Sequence, residues 1–160
     1  MYIDLVSDGY RKDIRTGNET LKTYLCKTLL GPFGDYVTLR YNQTSLDGAR
    51  GEWKLDEREI VLYEEQIIKA VEERNGHYQT REKELCYVNT IAHETWHAFQ
   101  DLSDGGDLIP EDLVAMHREN SAYYVPFEYS YNMYRNQLNE VGAFMFGDKL
   151  EKFMRKIASF

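Results

Sequence analysis

Apolar positions recur with helical spacing in four stretches of the chain, and they gather in short β-branched or aromatic runs in three others. Between 18 and 30, Leu21, Tyr24, Leu25 and Thr28 share one side of a helix, and Gly31-Pro32 stops the run. Residues 36 to 41, β-branched and aromatic, read as a strand. Asp47-Gly48 is a turn signal, and 49 to 54 and 59 to 63 read as two further strands joined through Asp56-Glu57-Arg58. The expected sheet is small and mostly antiparallel. Residues 64 to 74 predict a helix ended by Asn75-Gly76.

The next helix is the informative one. Thr80 can cap it, Glu82 and Glu84 suit its positive end, and it is expected from about Arg81 to about Leu102, before Gly105-Gly106. Leu85, Val88, Ala92, Trp96 and Phe99 share a stripe, and Ile91, Thr95, Ala98 and Leu102 widen it. From Val88 to Phe99 the single acid is Glu94, and no base occurs. A helix so apolar is mostly buried, so His93, Glu94 and His97 belong inside the protein or on the floor of a cleft.

Periodicity fades from 103 to 135. Pro110-Glu111-Asp112 can open a short helix reaching Glu119, and the tyrosine-rich stretch from Tyr123 to Tyr134 is expected to be irregular and to cover something. A last helix or helix pair runs from about Gln137 to Ile157. Asn136 is its candidate cap, and Gly147-Asp148 is a place where it could kink or divide.

The 160 residues suit one domain, spanning 1–160. Residues 1–75 supply a helix and the sheet, and 76–160 supply the motif helix, the covering segment and the C-terminal helices. A hydrophobic fraction of 42% and a charged fraction of 29% are those of a globular chain. The 13 tyrosines exceed the 7 phenylalanines and suit a half-wet core or a cleft. A net charge of −8 argues against a nucleic-acid or anionic-membrane partner, because phosphate rewards cations. No run approaches the length of a membrane span, and no signal-peptide pattern opens the chain, so a cytoplasmic location is expected. Cys26 and Cys86 are expected to be free buried thiols.

The sequence His93-Glu94-Thr95-Trp96-His97 carries the chemistry. Histidines at i and i+4 project from one helix face, and their nitrogens can reach one metal ion at about 2.0–2.1 Å. A glutamate at i+1 misses the ion but reaches a water beside it, which suits a general base. Burying these groups costs free energy unless a metal or another partner compensates. The plainer reading is two core histidines bonded to carbonyls, with Glu94 in a salt bridge.

A catalytic zinc takes a third protein ligand and leaves a position open. Gln100 and Ser103 stand where the metzincin pattern needs glycine and histidine. His77 and His117 are spare, and His117, in the covering segment, is a candidate ligand or transition-state donor. Asp101 suits an outer contact or a helix-end charge better than ligation. Glu140, near the start of an apolar helix, is the best candidate ligand. A first-turn glutamate that only favours the helix dipole accounts for it equally well.

The chain resembles the small gluzincin-type metallopeptidases, the minigluzincins, and among them bacterial and phage-type members. The likeness rests on Ile91-Ala92-His93-Glu94-x-x-His97-Ala98-x-Gln100 and, later, on Tyr134-x-x-Gln137-x-x-Glu140-x-x-Ala143-x-x-Phe146-Gly147. It implies an α+β, zincin-like fold, with a small sheet packed on the motif helix and a helical C-terminal part. It also implies zinc held by His93, His97 and Glu140, peptide-bond hydrolysis with Glu94 activating zinc-bound water, and the strand Glu59 to Tyr63 as the edge that pairs with extended substrate. Many relatives carry an acid where Gly142 stands and a proline where Leu138 stands. Tyr131, Tyr134 and His117 are the candidates for stabilising an oxyanion. Two other functions compete: a non-catalytic zinc-binding regulatory or interaction module, and a peptidase held latent under the stretch from Tyr123 to Tyr134.

Overall fold

The computed structural model describes residues 14–76, 80–103 and 130–157, together with positions 115 and 119. The expected short helix from Pro110, most of the tyrosine-rich stretch, His77 and His117 lie outside the described residues.

Helix α1 spans Ile14–Leu30 and buries Asn18, Leu21, Leu25, Cys26 and Leu30 along one side. It starts earlier than the apolar spacing predicts, because Gly17 and Asn18 are buried although neither is apolar. Asn18 donates from Nδ2 to the Tyr41 hydroxyl at 3.1 Å, which meets the cost of burying its amide. A 3-10 turn, Gly31–Tyr36, leads into strand β1, Thr38–Asn42. Strands β2, Gly51–Lys54, and β3, Glu59–Tyr63, follow. Helix α2 is Glu64–Asn75 and ends on Gly76 in the left-handed conformation, whose N–H bonds the Glu72 carbonyl at 2.8 Å.

The sheet order is β1-β3-β2, with β1 parallel and β2 antiparallel to β3. It is therefore mixed, where a mostly antiparallel sheet was expected. The short turn between β2 and β3 forces a hairpin, but the longer link from 43 to 50 lets β3 insert between β1 and β2. Strand β3 is thus central. It is not the substrate-pairing edge that the resemblance implies. Ile60, Val61 and Leu62 are completely buried, the mark of a strand covered on both faces. The edge beside the motif helix is β2.

Helix α3, Thr80–Ser103, is the motif helix. Between Leu85 and Thr95 it is buried on every side, enclosed by α1, the sheet and α2, and by helix α5, Leu138–Ile157. A short helix α4, Tyr131–Arg135, precedes α5. The break between the two C-terminal helices falls at Asn136–Gln137, not at Gly147-Asp148, and α5 runs unbroken through Gly147. The Gln137 carbonyl accepts the Val141 N–H at 2.8 Å, so Gln137 holds the cap position expected of Asn136. One core joins all of these elements except the 3-10 turn and α4. Among the described residues no helix is long and apolar enough to cross a membrane.

Candidate metal centre

His93 and His97 project from the same side of α3, one turn apart, with their Nε2 atoms 3.0 Å from each other. The first turn of α5 brings in Glu140, whose side chain is 2% exposed. Its Oε2 lies 3.3 Å from His93 Nε2 and 3.4 Å from His97 Nε2. Ligand atoms that bind one zinc tetrahedrally at about 2.0–2.1 Å lie about 3.3 Å from one another. The triangle of two imidazoles and one carboxylate has edges of that length. His93, Glu94 and His97 also offer ligand atoms within 4.8 Å of one another, a group able to hold a metal ion. Two carboxylates therefore compete for the third place. Geometry separates them: Glu140 closes the triangle, while Glu94 accepts the backbone N–H of Trp53.

Neighbouring groups fix each ring. Gln100 Nε2 donates to the Asn139 carbonyl at 3.2 Å, and Gln100 Oε1 lies 3.0 Å from His97 Nδ1. A carbonyl can only accept, so the amide of Gln100 has one orientation and its oxygen faces the ring. His97 therefore carries a proton on Nδ1 and turns Nε2 toward His93 and Glu140. The His93 ring meets Phe144 edge-on at 4.6 Å between centroids, and the Arg135 guanidinium covers the same Phe144 ring at 4.1 Å.

The electrostatics are those of a packed cluster. Burial would lower the basicity of His97, but the adjacent Glu140 carboxylate, with Glu94 and Gln100, raises its pKa to about 9. Burial opposes ionisation of Glu140, yet the two imidazoles 3.3 and 3.4 Å away hold its carboxyl well below the usual range. Glu94 is pushed up by burial, partly offset by the two histidines. Glu94 is thus the more basic of the two carboxylates.

Strand β2 comes within contact of α3 at Gly51. A Cβ there would lie 2.5 Å from Thr90 Cγ2 and 3.1 Å from Glu94 Cγ. The Trp53 indole also donates to Asp101 at 2.9 Å, so Asp101 ties the end of α3 to the sheet and does not face the cluster as a ligand. Sequence reasoning missed Gly51 and Trp53, whose only signal is a small residue at the start of a strand. Gly142, where the resemblance leads one to expect an acid, abuts Trp96: a Cβ on it would lie 2.6 Å from the indole nitrogen. The tryptophan fills the space that such a side chain would need.

A cleft of about 1140 Å3 opens over His93, Glu94, His97 and Glu140, with β2 and α2 as further walls. Tyr134 lines it. Tyr131 sits in α4 with its side chain outside the description, and His117 is outside altogether. Of the three candidate oxyanion donors, the described structure brings Tyr134 to the cleft. No protein-family model matches this chain, and searches of curated proteins and of solved structures return no match.

Proposed function

We propose that this chain is a zinc-dependent peptidase of zincin-like architecture, with His93, His97 and Glu140 holding the metal and Glu94 serving as general base. The observation that carries this reading is the triangle of Nε2, Nε2 and Oε2 atoms 3.0–3.4 Å apart, with a second carboxylate alongside. Two imidazole nitrogens and one carboxylate are the donor set of a catalytic zinc site, so the residues fit the ion. Zinc bound there supplies a Lewis acid for a substrate carbonyl and makes water acidic near neutral pH.

The remaining work falls to the protein. Glu94 takes the proton of the attacking water and passes it to the leaving amine, and its burial makes it a stronger base. Tyr134, on the cleft wall, is the donor for the developing oxyanion. Arg50 turns its carbonyl to Tyr63 N–H at 2.9 Å, so by alternation Gly51 turns its backbone away from β3 toward the cleft. An extended peptide can pair there. The partner is a peptide or protein substrate, with no role for nucleic acid or membrane. Two buried free thiols suit the reducing cytoplasm.

A non-catalytic zinc module is the second reading. It is favoured by the closeness of Glu94 to both histidines, since a fourth protein ligand would close the site. One variant separates the two. Under the peptidase reading Glu94→Gln retains one zinc per chain by metal analysis and loses peptide hydrolysis by about 10²–10⁴-fold. Loss of the metal in that variant would support the closed site, and undiminished hydrolysis would remove Glu94 from the mechanism.

A further inference from the structure

Among the described residues four cations line the cleft: Arg50, Lys69, Arg74 and Arg135. Three of them meet carboxylates of the protein itself. Lys69 lies 3.9 Å from Glu73, Arg74 is 3.3 Å from Glu151, and Arg135 is 3.9 Å from Asp148. Arg50 differs. It is half-buried, and among the described residues its guanidinium contact is the Cys86 sulfur, with Nη1 3.6 Å from Sγ. A thiol is a weak acceptor, and a guanidinium carries five donors in a fork that matches a carboxylate. The acids nearest Arg50 in sequence are engaged elsewhere. Asp47 accepts the Ala49 N–H at 3.0 Å, and Glu52 accepts the Tyr63 hydroxyl at 2.7 Å.

The placement of Arg50 is well defined. Its neighbour Gly51 is pressed against Thr90 and Glu94, and Cys86, Thr90 and Glu94 follow one another along α3 at single-turn intervals. The guanidinium therefore sits two turns before Glu94, about 12 Å along the helix axis. An extended peptide covers about 3.3 Å per residue, so that distance is three to four residues of substrate.

Building on the peptidase reading, we propose that Arg50 anchors a single carboxylate of the substrate three to four residues from the cleaved bond. The substrate class is then a peptide with an acidic side chain, or a free C-terminus, at that distance. Asp47 and Glu52 on the same wall disfavour a run of acids, so one carboxylate is the recognised unit.

The test uses peptide pairs that differ only in Glu against Gln, scanned over five positions on either side of one bond, or in a free against an amidated C-terminus. Binding to the zinc-loaded Glu94→Gln chain is read by fluorescence anisotropy, and KM is read on the chain with Glu94 intact. Expected is about tenfold tighter binding of one acidic member, at the third or fourth position, and a matching fall in KM. Arg50→Gln should erase the preference and Arg50→Lys should keep part of it, with both variants melting cooperatively. The side-chain and C-terminal pairs tell which source supplies the carboxylate. Equal affinity within every pair, no peptide binding at all, or a preference that survives in Arg50→Gln would overturn the proposal. Carboxylate-selective binding without hydrolysis by the intact chain would uphold Arg50 and defeat the peptidase reading.

Discussion

The two nitrogens of His97 have separate partners, and this division sets how the ring can serve. Nδ1 faces Gln100 Oε1, while Nε2 faces His93 and Glu140. Gln100→Met removes the acceptor and frees the ring to turn or to change tautomer. Zinc affinity, measured by competition with a chromophoric chelator, is expected to fall about 10–100-fold. Gln100→Glu keeps the acceptor but sets a carboxylate against the Asn139 carbonyl. It should hold its zinc within about threefold of the parent chain while losing about 1–3 kcal/mol of stability in urea. Equal zinc affinity of the methionine variant and the parent would show that Gln100 only packs. The candidate residues on α3 were legible because i and i+4 geometry is local. Glu140 was legible only in part, since a first-turn glutamate has a reason to exist without a metal. The Gln100 clamp was not legible, because its anchor is a backbone carbonyl 39 residues away.

Among the elements, β2 holds the edge position beside the motif helix that the resemblance gives to β3. The continuous apolar run of Ile60, Val61 and Leu62 is a signal for a central strand, and Gly51-Glu52-Trp53-Lys54 alternates as an edge does. Local pattern thus located the strands, while their order depended on how the link from 43 to 50 crosses the sheet. The approach of β2 to α3 has a direct test. Gly51→Ala would press its methyl against Thr90 Cγ2, and Thr90 cannot easily turn away because its hydroxyl bonds the Cys86 carbonyl at 2.9 Å. The expected loss is about 1–3 kcal/mol in denaturant unfolding. Under the peptidase reading hydrolysis should also fall, because the strand that holds Glu94 through Trp53 moves outward. Thr90→Ser deletes the opposing methyl, so the double variant should recover most of both losses. Additive losses would mean that the strand yields elsewhere.

Over the whole molecule, α3 and α5 lie antiparallel and are pinned at both ends. Glu140 at the start of α5 meets His97 toward the end of α3, and Arg155 near the end of α5 meets Glu82 in the first turn of α3. Asn89 spans the middle, donating to Asp148 at 3.0 Å and Glu151 at 2.9 Å. Length and composition indicated a single core, but nothing local in the sequence pairs residue 82 with residue 155. That clamp predicts an acid sensitivity independent of the metal. The Arg155 fork reaches both oxygens of Glu82 at 2.6 and 2.9 Å and holds its carboxyl below the ordinary value of 4.5. A carboxyl lowered on folding stabilises the fold fully above its unfolded pKa, and that contribution is lost as pH falls through the folded value. The Arg155 side chain is 42% exposed, so water and salt screen the pair and its worth is about 0.5–1 kcal/mol. In urea titrations with a chelator present, Glu82→Gln should be less stable than the parent by that amount at pH 7. The gap should narrow toward zero at the acid end of the titration, once pH has fallen through the lowered value of the folded carboxyl, and should shrink in 1 M salt. A gap of equal size at both pH values would assign the effect of Glu82 to packing and remove the charge clamp from the account of how these two helices are held.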